Sequence, residues 1–156
     1  MLEDHDRPLN KRGRKSAPVM AEWLARHGHI PDLILCSSSV RTRQTVSGMM
    51  DAIPDLPDPQ IDPGLYHASA GEMLECLQQV QAEICTVMLV GHQPGLGALT
   101  RALSDGHESR HCRRAHEHFP TAAAAVFEVE ADDWTRLDRG AARFIDFAVP
   151  RELMDG

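Results

Sequence analysis

The sequence lacks the features that mark several classes of protein. No apolar run approaches the length of a membrane span, and the N-terminal segment MLEDHDRPLN has no apolar core like that of a signal peptide. Basic residues are in the minority, with 16 Lys and Arg against 23 Asp and Glu, so the net charge is −7. We therefore expect a cytoplasmic protein that binds no membrane and no nucleic acid.

Cysteine is scarce and poorly spaced for metal or disulfide chemistry. The four cysteines, Cys36, Cys76, Cys85 and Cys112, contain no C-x-x-C pair, and Cys36 lies inside an apolar run. Reduced, structural thiols are expected, without a zinc knuckle and without disulfides.

The pattern of apolar residues predicts the fold class. The runs Leu33–Cys36 and Val87–Val90 are continuously apolar, which is typical of strands buried on both faces of a parallel sheet. Helical stripes alternate with these runs: Ala17, Met20, Ala21 and Leu24; Val46, Met49, Met50 and Ile53; Met73, Leu77, Val80 and Ile84; Leu96, Leu99 and Leu103. Shorter strands are predicted near Gln60-Ile61, at Ala124–Val129 and at Arg143–Val149. We predict one α/β domain over residues 1–156, a three-layer sandwich with a mostly parallel central sheet.

Polar segments follow both apolar runs at the points where the strands should end. The first run leads through a serine-rich turn to Arg41, and the second leads through Gly91 to His92. Parallel strands end at one edge of a sheet, so Arg41 and His92 should face the same crevice. Two helix N-termini start there, which together with a guanidinium and an imidazole would suit a phosphoryl group. The segment GHQPGLG lacks the G-K-[ST] ending of a nucleotide-binding loop.

Six segments carry a resemblance to a known family. In order they are DRPLNKRG, PDLILCSSSVRTRQT, LYHAS, VMLVGHQPGL, FPTAA and FAVPREL, which span Asp6 to Leu153. They resemble the landmarks of SixA-like phosphohistidine phosphatases, members of the histidine phosphatase superfamily that also contains the phosphoglycerate mutases. The resemblance implies a phosphoglycerate mutase-like fold and metal-free chemistry without a cofactor. In that chemistry a nucleophilic His forms a covalent phosphohistidine, which water then hydrolyses.

The resemblance also assigns roles to residues of this chain. Arg41 and His92 match catalytic residues that stabilise charge on the phosphoryl oxygens. Ser37 matches the serine that begins the arginine segment, while Ser38 stands where proline is usual. Arg7 and His67 border the pocket in the family, and we expect both, together with Ser37, to bind phosphate or substrate. His5, also near the pocket, is expected to be a flexible N-terminal residue.

One landmark of the family is not found ahead of the D-R-P-L segment, where the family has it. The family's first strand ends in Leu-Arg-His-(Ala or Gly) ahead of the D-R-P-L segment, so the domain is expected to be N-terminally incomplete and to lack this strand and its nucleophile. The tripeptide Arg26-His27-Gly28 cannot substitute for it. It comes after D-R-P-L, and its Gly28 fits the C-terminal end of a helix.

Several alternatives remain open from the sequence. Either the start codon is assigned too late, or the chain is a degenerate member that binds phosphate without turnover. The candidate functions are a signalling phosphatase acting on a phosphorylated phosphotransfer protein, a non-catalytic phosphate-binding or assembly module, and a phosphatase acting on small phosphate compounds. The sequence alone therefore leaves open whether the chain is an enzyme. A missing strand would expose sheet edges, so a homo-oligomer is expected.

The segment GHESRHCRRAHEHFP concentrates His107, His111, Cys112, His116 and His118. We expect a solvated loop rather than a metal site, because no ligand pair recurs on a clear scaffold. Its arginines make it locally basic, so it would attract an acidic phosphoprotein.

Overall fold

The computed structural model describes residues 2–106 and 110–154, with side chains from residue 113 onward in the second segment. Its centre is a three-stranded parallel sheet formed by β1 (Leu33–Ser37), β2 (Gln60–Asp62) and β3 (Val87–Val90). β1 lies in the middle and pairs with β2 on one side and β3 on the other. The two apolar runs therefore form neighbouring parallel strands, as their composition predicts.

Helices cover both faces of this sheet. α1 (Lys11–Arg26) and α2 (Val40–Ala52) pack on one face, and α3 (Ala70–Gln78) and α4 (Gly95–Leu103) pack on the other. β1 shows why the layers form, because its side chains alternate between the two faces. Ile34 and Cys36 join the core of α1 and α2, whereas Leu33 and Leu35 join the core of α3 and α4. The α/β class and the three layers are confirmed.

A second sheet closes the chain. β4 (Ala124–Val129) and β5 (Ala142–Ala148) are antiparallel, and α5 (Arg110–Glu117) precedes them while α6 (Pro150–Met154) follows. β4 has the predicted bounds, and β5 lies one residue earlier than predicted. Across the described part of the chain, no helix has both the length and the apolar character that a bilayer crossing requires.

Local sequence signals explain where α1 begins and ends. Asn10 is the N-cap, and its side chain accepts a hydrogen bond from the Gly13 N–H at 2.8 Å. At the other end His27 is the C-cap, and Gly28 has a φ of +73°, a backbone conformation that favours glycine. The predicted end of the helix at Arg26-His27-Gly28 is confirmed.

Two sequence predictions of local structure are wrong. The stripe Met73, Leu77, Val80 and Ile84 does not lie on one helix, because α3 ends at Gln78 and Gln79 caps it. Val80 and Ile84 still pack in the same core from the following turns, and the Trp134 indole donates a hydrogen bond to the Ile84 carbonyl. The helical spacing of these apolar residues therefore predicts correctly that they are buried, but not that they lie on one helix. The segment expected to be a loop over residues 107–118 contains α5.

β3 has an open edge within the described residues. It pairs with β1 alone, and all four of its apolar side chains are only half-buried. Met88 and Val90 of β3 pack against the same core as Ala124 and Val126 of β4, which are also half-buried. The two sheets thus share a core while β3 keeps one row of backbone groups unpaired by any described strand.

Candidate active site

The carboxyl ends of β1 and β3 bring Ser37 and His92 together. Ser37 is the last residue of β1, and His92 follows β3 by two residues. The register pairs Cys36 with Val90, so the residues just beyond them lie side by side. His92 Nε2 forms a hydrogen bond with Ser37 Oγ at 2.8 Å, and Ser37 is fully buried. The imidazole is therefore fixed to the edge of the sheet.

Arg41 reaches this edge from the first turn of α2. Ser39 is the N-cap of α2, and its hydroxyl accepts a hydrogen bond from the Thr42 N–H at 3.2 Å. The Thr42 hydroxyl donates in turn to the Ser37 carbonyl at 2.8 Å, and both side chains are buried. These contacts hold the turn that carries Arg41 against the end of β1, which is why a serine- and threonine-rich sequence follows this strand.

The Asp4 carboxylate forms an ion pair with the guanidinium of Arg41. Asp4 begins a single turn of 3₁₀ helix, Asp4–Asp6, that lies against α2. Arg41 donates from one nitrogen to the Asp4 carbonyl at 2.6 Å and to Oδ1 at 3.3 Å, and from the other to Oδ2 at 3.3 Å. A planar guanidinium binds two oxygens of a carboxylate or of a phosphoryl group in the same way. Asp4 therefore lies where Arg41 would hold an oxyanion.

Tyr66 completes this cluster. Its hydroxyl donates to Asp4 Oδ2 at 2.5 Å, and its ring meets the His92 ring edge-on, with centroids 5.3 Å apart. The hydrogen bond from Tyr66, followed by those from Arg41, lowers the pKa of Asp4, so this carboxylate stays charged. The same hydrogen bond raises the pKa of Tyr66, which remains a donor.

Burial and charge keep His92 neutral near pH 7. Desolvation lowers the pKa of His92, and the nearby Arg41 guanidinium lowers the pKa further. The neutral ring can take up a proton once an anion lies beside it, because the anion stabilises the imidazolium. Arg41 and His92 together supply one permanent positive charge and one that an anion can induce.

His5 is held in place, contrary to the expectation of a flexible N-terminal residue. Its Nε2 lies 2.8 Å from Ser38 Oγ, and its Nδ1 lies 3.3 Å from Asp6 Oδ1. Its ring also meets the Tyr66 ring edge-on at 4.8 Å. Ser38, which stands where proline is usual in the family, thus gives the turn Asp4–Asp6 a polar anchor that proline could not give.

The remaining predicted residues lie at the margin of this cluster. His67 is exposed, its ring lies 4.0 Å from that of Tyr66, and its charge contributes to the low pKa of His92. It has a φ of +62°, which is uncommon for a residue with a side chain. Arg7 is exposed and contributes to the low pKa of Asp4, and it lines a groove together with Asp4 and Arg41. The structure thus brings Ser37 and His92 into contact and links Arg41 to His92 through Asp4 and Tyr66, with Arg7 and His67 at the margin.

The tripeptide Arg26-His27-Gly28 lies at the far end of α1. A helix of 16 residues is about 24 Å long, and Asn10 at its start lines the same groove as Asp4 and Arg41. His27 Nδ1 is 2.9 Å from the Trp23 carbonyl, and its ring lies 4.7 Å from the Trp23 indole. The ring therefore ends the helix, remote from Arg41 and His92.

A metal centre is not assembled within the described residues, where no three His, Cys, Asp or Glu side chains come together in a suitable arrangement. This finding covers only part of the His-rich segment. His107 and the side chains of His111 and Cys112 lie outside the described residues.

Sequence reasoning missed Asp4, Tyr66 and the anchoring of His5. Tyr66 lies next to His67 in the LYHAS segment, so the sequence pointed to this segment, but only His67 was predicted from it. Asp4 and Tyr66 are 62 residues apart, and no spacing rule connects them. Carboxylates are also not expected in an anion site, because their charge has the wrong sign.

A family model and a curated relative match the chain. The model of the histidine phosphatase superfamily, branch 1, matches residues 1–84. An uncharacterized protein of Mycobacterium tuberculosis is 34% identical over 152 residues, which cover 96% of this chain and 93% of that protein.

Solved structures match the fold over nearly the whole chain. A structure named for the phosphohistidine phosphatase SixA of Nakamurella multipartitia has a TM-score of 0.84 at 26% identity, covering 96% of this chain and 88% of that one. The protein histidine phosphatase SixA complexed with tungstate has a TM-score of 0.78 at 25% identity, covering 98% and 90%. The phosphoglycerate mutase-like fold inferred from the sequence is confirmed.

Proposed function

The chain belongs to branch 1 of the histidine phosphatase superfamily, and we propose that it takes part in the hydrolysis of phosphohistidine on a phosphorylated protein. The observation that carries this proposal is that His92, bonded to Ser37, and Arg41, bonded to Asp4, lie at one edge of the parallel sheet and are linked by Tyr66. The likeness to SixA structures, one of them complexed with tungstate, supports the choice of substrate.

Within this proposal Arg41 and His92 bind the phosphoryl group. Arg41 presents two N–H groups toward the phosphoryl oxygens, and His92 donates from its ring once it is protonated. Ser37 orients His92 by the hydrogen bond at 2.8 Å and does not touch the phosphorus. Arg7 and His67 lie around this centre and interact with the substrate near the phosphoryl group.

The nucleophile is proposed to be a histidine on a strand that precedes Met1. Its nitrogen forms a bond to phosphorus while the bond from phosphorus to the substrate imidazole breaks, and the leaving imidazole takes up a proton. Water then forms the new oxygen–phosphorus bond, which releases phosphate and returns the enzyme histidine. The leaving imidazole is readily protonated near neutral pH, so the site needs little help from a general acid.

The open edge of β3 supports a place for this strand. Unpaired backbone groups and half-buried apolar side chains on β3 would be satisfied by a further strand lying between β3 and β4. A second copy of the chain could pair with the same edge, so oligomers that form only when the strand is missing are part of the proposal.

Substrate choice separates this function from that of a general phosphatase. We would measure phosphate release from a phosphohistidine peptide and from an aryl phosphate, using protein that carries the proposed strand. The proposal predicts that the phosphohistidine peptide is strongly preferred and that Arg41→Lys removes most of the activity. Preference for the aryl phosphate would instead assign the site to small phosphate esters.

A further inference from the structure

A groove of about 1000 Å³ extends from the candidate site across the surface of the protein. It begins at Asp4 and Arg41, passes the start of α1, and continues between the end of α5 and the start of α6. Five arginines line it: Arg7, Arg12, Arg41, Arg114 and Arg151. We call it the arginine groove.

The charge of the arginine groove opposes that of the whole chain. The net charge of the protein is −7, yet among the described residues the lining holds five arginines against three carboxylates, Asp4, Glu117 and Glu152. Such a local reversal of sign creates a positive field that attracts an anionic partner. Its position, continuous with Arg41, puts this field beside the proposed phosphoryl site.

The arginines of the groove differ in their ion pairs. Arg41 pairs with Asp4, and Arg114 pairs with Glu152. Arg7 and Arg12 are exposed, and neither forms an ion pair with another residue that the structure describes. In both pairs the carboxylate is exposed, so a partner's phosphoryl group can replace Asp4 on Arg41 and a partner's carboxylate can replace Glu152 on Arg114.

The floor of the groove is partly apolar. Phe147 and Val149 line it at the end of β5, and the Arg114 guanidinium lies over the Phe147 ring at 5.4 Å from the centroid. An arginine stacked on an aromatic ring keeps its outer N–H groups available for a second partner. A peptide that lies in the groove can therefore pair its acidic side chains with the arginines along it.

From these observations we infer that the arginine groove binds an acidic segment of the phosphorylated protein, next to the phosphorylated residue. The inference rests on the proposed function and specifies the partner for it. One phosphate would need only Arg41 and its immediate neighbours, whereas the arginines continue away from the site to α6. Carboxylates spaced along a chain would use arginines beyond Arg41, such as Arg7 and Arg12, because an arginine can form a bidentate pair with a carboxylate.

Binding of two labelled peptides would test the inference. Both carry one phosphoserine and a fluorescein label. One has glutamates flanking the phosphoserine, and the other has glutamines there. We expect the glutamate peptide to bind the 156-residue chain about ten-fold more tightly in fluorescence anisotropy, since several exposed ion pairs add together. Equal affinities for the two peptides would overturn the inference.

Arg12 and Arg26 provide a matched pair of variants. Both are exposed residues of α1, but only Arg12 lines the groove. We expect Arg12→Gln to weaken binding of the glutamate peptide about three- to five-fold and Arg26→Gln to leave it unchanged. Equal losses in both variants would mean that only the overall charge matters. Equal binding of an RNA oligomer of the same charge would likewise contradict a site for acidic peptide.

This experiment fails or succeeds separately from the proposed function, because it needs no turnover. Peptide binding that depends on Arg12, together with no hydrolysis of phosphohistidine by protein that carries the proposed strand, would support the groove and refute the proposed function. Hydrolysis of phosphohistidine with no effect of flanking glutamates or of Arg12→Gln would support the function and refute the groove.

Discussion

Arg41 is paired with the carboxylate of Asp4, a residue 37 positions earlier in the chain, through two N–H···O contacts of 3.3 Å. A third hydrogen bond, of 2.6 Å, joins Arg41 to the Asp4 carbonyl. The arginine that should bind a phosphoryl group is thus already bound to an anion of the protein itself. An incoming oxyanion must displace or share this partner.

Removing the charge of Asp4 should therefore strengthen anion binding. In Asp4→Asn the competing charge is gone, while the Asp4 carbonyl that also binds Arg41 is retained. We expect tungstate to bind about five-fold more tightly, as measured by isothermal titration calorimetry. Glu3→Gln is the control, since Glu3 is an exposed neighbour of the same charge and the ion pair of Arg41 is made by Asp4. Weaker binding in Asp4→Asn would show instead that Asp4 positions Arg41.

His92 should make anion binding depend on pH. Its pKa is lowered in the protein without ligand, so the ring is neutral at pH 7 and becomes charged only below its ordinary value of 6.5. A bound dianion favours the charged ring, so binding takes up a proton and becomes tighter as the pH falls from about 8 toward about 5.5. Sulfate is a suitable ligand because it remains a dianion over this range.

His92→Gln should remove this dependence and weaken sulfate binding about ten-fold at the acidic end. Gln keeps a polar group that can still bond to Ser37. A sulfate affinity with the same slope against pH in both proteins would show that another group takes up the proton.

The free energy of unfolding should also depend on pH through His92. The folded pKa of His92 lies below its unfolded value, so the stability linked to this ring is fully present above pH 6.5. It is lost as the pH falls through the lowered pKa, because the unfolded chain binds the proton more readily. Urea unfolding at about pH 7.5 and about pH 5 should thus show a smaller acid loss of stability in His92→Gln than in the natural sequence.

Gly95 should tolerate no side chain, because α4 packs closely on the segment that carries Tyr66 and His67. A Cβ at this position would lie 2.4 Å from the Ala68 carbonyl oxygen and 2.8 Å from the Met73 Cε. We expect Gly95→Ala to lower the free energy of unfolding by about 1–3 kcal/mol in urea titrations.

Gly97 provides the control within the same helix. A Cβ there would lie 3.1 Å from the Gln93 side-chain oxygen, which can move. Gly97→Ala should be neutral or stabilising by up to about 1 kcal/mol, because alanine favours the helix. Equal destabilisation in both variants would contradict the close approach at Gly95.

His27 should be dispensable for anion binding. It caps α1 and contacts Trp23, far from Arg41. His27→Ala should keep the tungstate affinity of the natural sequence and lose no more than about 1 kcal/mol of stability through the missing hydrogen bond. A loss of tungstate affinity comparable to that of His92→Gln would show that the tripeptide belongs to the site.

The frame of the site could be predicted from the sequence because that frame depends on local rules. Apolar runs become buried parallel strands, and parallel strands end at one edge, so the sequence alone predicts that Arg41 and His92 lie together. The end of α1 at Gly28 followed from the rule for helix C-termini. These signals involve residues that are near one another in the chain.

The interior of the site could not be predicted because its contacts are distant in sequence. Asp4 meets Arg41 and Tyr66 only after the fold is complete, and His5 meets Ser38 across 33 positions. The end of α3 was missed for a related reason. Val80 and Ile84 bury their side chains from turns, which gives the periodicity of a helix without its backbone.

The hydrolysis of a phosphohistidine peptide tests the central claim most directly. It should be measured for the 156-residue chain beside the same chain extended at its N-terminus by a strand ending in Arg-His-Gly, with phosphate release as the readout. The account predicts turnover only in the extended protein and loss of that turnover in its Arg41→Lys variant. Turnover by the 156-residue chain alone would contradict it, because the nucleophile would then lie within these residues.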